Sequence, residues 1–162
     1  MKEKLQKALV NYLFGLEAHV EMMPYIRTTA SEARTTLNPR ESAVCILLFP
    51  LGVTIQVLFI ERASSKGVHS GQIAFPGGKK ETSDLTLMQT ALRETEEEVG
   101  IPANSIEILG ELTEVFIPPS NFVAKPFVGW LTEKPSIVKQ ESEVHDVFFT
   151  DLDALFSAEN MG

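Results

Sequence analysis

Among 162 residues there are one cysteine and three histidines, and 14 Lys and Arg stand against 22 Asp and Glu. The lone Cys45 excludes an internal disulfide, and its place in the apolar run 43–49 makes it a buried core thiol rather than a reactive one. No Cys or His stands at a usable spacing from His69, which excludes it as a zinc ligand. The formal charge of -8 argues against a general binder of nucleic-acid backbones, whose affinity rests on clustered Lys and Arg. Long apolar runs are missing too. The N-terminal one is broken by Asn11, Glu17 and His19, which argues against a membrane span or a signal peptide, and a cytoplasmic location is the expectation. No internal repeat or low-complexity tract occurs. What remains is a length suited to a single domain with a good core, and a small anionic ligand as the partner this charge balance still allows.

Along the chain, Leu5, Leu9, Tyr12, Leu13, Leu16 and Val20 keep helical spacing and predict an amphipathic helix lying on the domain. Met22-Met23-Pro24 ends it. Residues 27–42, rich in Thr, Ser, Ala and Arg, read as a loop or lead-in arm, so 1–40 is expected to be a helix plus arm and 41–162 the main domain. Two apolar runs, 43–49 and 53–60, joined by Pro50-Leu51-Gly52, predict a buried hairpin that delivers Glu61 and Arg62 into a loop carrying Lys66 and His69. Farther on, 106–112 and 122–131 read as strands around a Pro118-Pro119 loop, and 144–150 as a last strand. Asp151-Leu152-Asp153 then begins a helix that ends near Phe156. The acidic stretch 140–146 brings Glu141 and Glu143 as candidate carboxylates, a solvated loop being the plainer account.

The stretch 72–101 organises the rest. It opens as an apolar strand-like run, turns at Phe75-Pro76-Gly77-Gly78, and enters a helix with N-cap oxygens offered by Thr82, Ser83 and Asp84 and a stop at Gly100-Ile101-Pro102. At about 100° per residue, Leu85, Met88, Leu92 and Val99 fall within roughly 60° and predict the core face. Glu94, Glu97 and Glu98 project from the other side within about 100°, where like charges repel. Arg93 reaches Glu97 at i+4, which leaves Glu94 and Glu98 facing one space. A solvated acidic face is the ordinary account of such a run. A hard divalent cation is the alternative, since Mg²⁺ takes oxygen ligands and keeps waters or phosphate oxygens in its shell, and Gly77-Gly78 lets backbone approach it closely.

These residues carry a family resemblance. Gly78, five residues, Asp84, eight residues and then Arg93-Glu94-Thr95-Glu96-Glu97-Glu98-Val99-Gly100-Ile101 resemble the Nudix box, Gx5Ex7REUxEExGU with U aliphatic. Asp stands for the first Glu, the spacer is one residue longer, and Thr95 holds an aliphatic position. The lengthened form with Asp, and the run Lys66-Gly67-Val68-His69-Ser70-Gly71-Gln72 ahead of it, are similar to the coenzyme A diphosphatase branch, although Lys66-Gly67 departs from the Leu-Arg often found there.

The resemblance covers about residues 40–156 and implies an α+β fold, an α/β/α sandwich around a mixed β-sheet. It implies Mg²⁺ or Mn²⁺ held by Glu94, Glu97, Glu98 and the Gly77 carbonyl, with Arg93 beside them in the catalytic set. Arg62, Lys66, His69, Gln72 and Lys79 are the candidate substrate-binding residues, with Lys80 as a further base near the glycine turn. The implied reaction is hydrolysis of coenzyme A or an acyl-coenzyme A to 4′-phosphopantetheine, or its acyl form, and adenosine 3′,5′-bisphosphate. An ADP-ribose or nucleotide-sugar diphosphatase shares every box residue, and a non-catalytic nucleotide-binding module is the alternative of another class. Relatives in this branch usually continue for some tens of residues, so the end at Gly162 is read as a truncation. On that account the apolar surface near 147–156 is expected to be covered by a neighbouring chain, as in a homodimer.

Overall fold

The computed structural model describes residues 2–11, 15, 28–63 and 71–156. Strands β1 (Arg40–Leu51) and β2 (Thr54–Arg62) form the expected hairpin, pairing antiparallel from Leu48↔Val57 to Leu51↔Thr54. Gly52 takes the positive φ of 62° that its tight turn requires. Beyond this short ladder the two strands part. Into the opening come β3 (Ile73–Ala74), which pairs with β2, and β4 (Gly77–Lys79), which pairs with β1. The Gly77-Gly78 segment, expected to be a turn, is therefore a strand: glycine allows the close approach, because a Cβ at 77 would collide with the Ala43 carbonyl and the Val44 backbone.

On the other edge of β1 lies β7 (Phe122–Trp130), parallel to it from Arg40↔Phe122 to Leu48↔Trp130. Two antiparallel strands, β5 (Glu107–Glu111) and β6 (Val115–Ile117), follow one another along the other edge of β7, and β8 (Val144–Asp151) pairs with β2. The sheet is mixed and has eight strands. Successive side chains along a strand face opposite sides, so β1 feeds two cores. Ala43, Cys45, Leu47 and Phe49 meet Ala91 and Val99 of the helix α3 (Leu87–Val99). Leu48, with Ile55, Val57, Val128 and Trp130, meets Leu5 and Leu9 of α1 (Lys2–Asn11) and Leu152 of α4 (Leu152–Leu155). Helices on both faces of one mixed sheet make the expected α/β/α sandwich.

Several local expectations are corrected. The segment taken as a loop contains α2 (Ala30–Thr36), started by a capping box in which Thr29 and Glu32 satisfy each other's backbone N–H. The remainder of the first predicted helix, with Tyr12, Leu13, Leu16 and Val20, lies outside the described residues. Helix α3 is capped by Thr86 with Gln89, not by Thr82–Asp84. The face it turns to the core is Ala91, Thr95, Glu98 and Val99, with Thr90 buried to one side against Asp84, while Leu85 is 82% exposed. That face is turned by roughly 60–70° from the Leu85–Met88–Leu92–Val99 stripe. The small Ala91 and Thr95 let the helix sit close on β1, and the Thr95 hydroxyl donates to the Ala91 carbonyl at 2.7 Å, so the buried oxygen is satisfied. The Cys45 thiol faces Thr95, and burial pushes it up to about 12, as a core thiol requires. Gly100 ends the helix in the left-handed conformation, as expected.

In the 147–156 stretch, Phe148 stacks on Phe59, Phe149 meets Phe49 edge-on, and Leu155 and Phe156 are exposed.

Candidate active site

Three elements meet where the hairpin opens: the end of β2, the glycine strand β4, and the last turns of α3. Glu98 is fully buried there. Its Oε2 accepts the Gly77 N–H at 2.8 Å, and its Oε1 accepts from Arg62 Nη1 at 3.1 Å. Burial pushes its carboxyl up to about 7, against the pull of the Gly77 N–H and the Arg62 charge, and Glu94 and Glu143 push it the same way. Glu94, one turn earlier, is also raised, first by burial. Gly78 makes room for it: a Cβ at 78 would stand 2.5 Å from the Glu94 carboxyl carbon.

Arg93 organises the other side of this helix. Its Nε and Nη2 clasp Asp84 at 3.1 and 3.0 Å, Nη2 also donates to the Lys79 carbonyl at 3.1 Å, and Nη1 meets Glu94 at 3.0 Å and Glu97 at 2.8 Å. Asp84 is buried, accepts further from Thr90 Oγ1 and the Glu81 N–H, and is held well below the usual carboxylate range by Arg93. The residue at the box's first acidic position thus fixes Arg93, and through it the strand that carries Gly77 and Gly78. Glu97 is mostly exposed and held by Arg93.

Beside the glycines lies a cleft of about 560 Å³ lined by Ser42, Val44, Arg62, Gln72, Phe75, Lys79, Phe122 and Glu143, among others. The glycine pair itself is part of that lining, with the Glu98 carboxylate held at the Gly77 N–H and the Glu94 carboxylate against Gly78. Arg62, Gln72 and Lys79 are brought together as candidates, whereas Lys66 and His69 lie outside the described residues. Lys80 pairs with Glu41 at 3.4 Å. Glu143 reaches the cleft because its carbonyl accepts the Ala63 N–H at 2.8 Å, and its charge is felt by the buried Glu98 and the half-buried Glu94. Glu141 stays exposed. Sequence reasoning passed over Ser42, Ser120 and Phe122. Strand alternation marks Ser42 and Phe122 as facing one side each, but not that the parallel β1–β7 register, with Phe122 opposite Arg40 and Ala124 opposite Ser42, brings them diagonally together on one face.

Among the described residues no three Asp, Glu, His or Cys side chains gather into a ready metal cage. Two glutamates side by side on α3, Glu98 paired with Arg62 and Glu94 with Arg93, nevertheless offer carboxylate oxygens suited to a hard cation, whose charge would favour their ionised forms against the opposing effect of burial.

The NUDIX domain family profile matches residues 39–161. The chain belongs to the Nudix family. Among its relatives, Nudix hydrolase 3 of Caenorhabditis elegans is 31% identical over 93% of this chain and 67% of its own length. The uncharacterized Nudix hydrolase NudL of Pectobacterium atrosepticum is 36% identical over 76% of this chain and 64% of its own, and that of Yersinia enterocolitica is 40% identical over 57% and 47%. The chain thus spans about half to two thirds of the length of these curated relatives. Solved Nudix structures share the fold: RenU from M. Smegmatis has a TM-score of 0.61 at 21% identity, covering 73% of this chain and 74% of that one. The NUDIX domain of Shewanella oneidensis NrtR, solved with ADP ribose, has 0.58 at 21%, covering 80% and 87%. Among the described residues of this Nudix chain no helix is long and apolar enough to cross a membrane.

Proposed function

We propose that this Nudix chain hydrolyses the diphosphate bridge of coenzyme A or an acyl-coenzyme A with Mg²⁺ or Mn²⁺, releasing 4′-phosphopantetheine or its acyl form and adenosine 3′,5′-bisphosphate. The observation that carries the reading is the buried Glu98 held between the Gly77 N–H and Arg62 at a cleft wide enough for a nucleotide. Glu94, Glu98 and the Gly77 carbonyl would hold the ion, with Glu97 kept in place by Arg93. When bound, such an ion neutralises charge on the bridge and makes a water more acidic.

The chain's own residues supply the rest. Hydrolysis adds water across one P–O bond of the bridge, so the site must hold two adjacent phosphates, line up a water and take its proton. Arg62, which uses Nη1 on Glu98 and has further N–H donors, borders the cleft with charge for the bridge phosphates, and charge-assisted contacts to phosphate are worth about 1.5–3 kcal/mol each. Val44, Ala74 and Phe75 give the cleft apolar walls, and in such surroundings fixed charges act more strongly than in water. Glu143, whose side chain borders the cleft and is not among the proposed ligands, would accept the proton. The same proposal places the chain in the cytoplasm, acting on a free nucleotide.

The substrate is preferred over other diphosphates because the lengthened box with Asp84 and the Gly71-Gln72 lead-in both resemble the coenzyme A branch. The test is kcat/KM for coenzyme A, dephospho-coenzyme A and ADP-ribose side by side with Mg²⁺. Coenzyme A should lead. ADP-ribose in first place would move the assignment to an ADP-ribose diphosphatase, and no turnover of any diphosphate would leave a nucleotide-binding module.

A further inference from the structure

Two neighbouring cavities share one residue. Lys79 lines the main cleft and also a pocket of about 440 Å³ walled by Arg40, Lys80, Glu41, Glu81, Thr82 and Asp84. Most charges around this junction are already matched. Glu41 meets Arg34 at 3.5 Å and Lys80 at 3.4 Å, Asp84 is clasped by Arg93, and Arg62 is committed to Glu98. Glu81 is exposed, where water screens it. Among the described residues lining the two cavities, the cations without an ion pair are Arg40 and Lys79.

The sheet register sets these two side by side. Lys79 pairs with Ser42, and Arg40 lies two residues before Ser42 on the same face of β1. Arg40 and Lys79 are therefore diagonal neighbours, about 7–8 Å apart at the backbone, and both side chains are long enough to converge on one anion. Arg40 is held ready: its guanidinium lies 4.0 Å from the centroid of the Phe122 ring, and Nη2 donates to the Ser120 carbonyl at 2.9 Å. A guanidinium has five N–H donors in a planar fork suited to phosphate oxygens. Toward the Gly77 row the same face carries Ser42 and Ala124, which are small and leave room for a sugar.

We propose that Arg40 and Lys79 form a phosphomonoester subsite at the Phe122 end of the cleft, selecting nucleotides that carry a phosphate on the ribose in addition to the bridge. The inference rests on the diphosphatase reading above only for where the bridge lies. Arg40 has no place in the box or in the loop before it; the β1–β7 and β1–β4 registers bring it beside Phe122 and Lys79, which line the cleft.

The experiment is a pair of titrations, adenosine 3′,5′-bisphosphate and adenosine 5′-monophosphate, at fixed Mg²⁺ and ionic strength. Wild type, Arg40→Gln, Lys79→Gln and Lys7→Gln are compared, each first checked by thermal unfolding. The wild type should bind the bisphosphate at least tenfold more tightly, and the gap should shrink to about threefold or less in the first two variants. Lys7, on α1, should leave it intact. A gap retained in both cleft variants, an absent gap in the wild type, or an equal narrowing in Lys7→Gln would each overturn the subsite. Coenzyme A turnover by the wild type is scored separately. Turnover without the gap removes the subsite alone, and the gap without turnover removes the reaction alone.

Discussion

Arg62 Nη1 lies 3.1 Å from Oε1 of Glu98, and through that contact the end of β2 is tied to the end of α3 across 36 residues of chain. The acid is fully buried and the base about one third exposed, so the charge facing solvent at this junction belongs to Arg62 while the carboxylate stays inside.

Stability without divalent ions should fall as pH rises through neutrality. The Glu98 carboxyl is raised from 4.5 to about 7 in the folded chain, so between those values the folded state binds more protons than the unfolded state. Its stabilising contribution is complete below about 4.5 and is lost as pH rises through about 7. At 1.36 kcal/mol per unit the loss is on the order of 3 kcal/mol. Thermal melts in EDTA from pH 4.5 to 8 check this, and Glu98→Gln should flatten the slope. A slope that survives the substitution would assign the effect to another group.

Glu98→Gln should lower kcat about a hundredfold or more, the scale for loss of a major electrostatic stabiliser, while circular dichroism stays native. Excess EDTA should abolish wild-type turnover. Full activity in EDTA would end the metal-dependent reading.

The two glycines should fail differently. Gly78→Ala places a Cβ about 2.5 Å from the Glu94 carboxyl carbon; that flexible end can swing away, so the fold should survive while activity falls at least tenfold and more Mg²⁺ is needed for half-maximal rate. Gly77→Ala meets backbone at Ala43 and Val44 and a φ of 155°, so it should cost about 1–3 kcal/mol in urea unfolding. Equal stability losses in the two variants would contradict this division.

Arg93→Ala leaves buried Asp84 without its cation and should destabilise by about 3–5 kcal/mol. Arg93→Lys should recover only part, because one ammonium cannot reach Asp84, the Lys79 carbonyl, Glu94 and Glu97 at once. Equilibrium denaturation of the three proteins decides it; a lysine variant as stable as wild type would reduce Arg93 to a simple surface charge.

The central helix, its stop at Gly100, the β1–β2 hairpin and the later strands were legible because each is written in local periodicity and turn residues. The Arg93–Glu97 pair was legible for the same reason, since i and i+4 are neighbours on any helix. The core face of α3 was misjudged: the stripe of large residues ends in an exposed Leu85, and the face is decided by which small residues fit β1 and by the two donors that draw Glu98 inward. Helix α2 was missed although Thr29 and Glu32 spell a capping box.

By itself the sequence determined the list of chemical parts: paired glutamates on one helix, a glycine pair before it, an arginine between them, and too few bases for nucleic acid. Tertiary structure decided how they are used. Burial, which no local pattern encodes, outweighs the paired arginine and weakens the acidity of Glu98 and Glu94, whereas at Asp84 the hydrogen bonds from Arg93 outweigh burial. Strand register, a relation between distant segments, sets Arg40 and Phe122 beside Ser42 and Lys79 and so shapes the cleft.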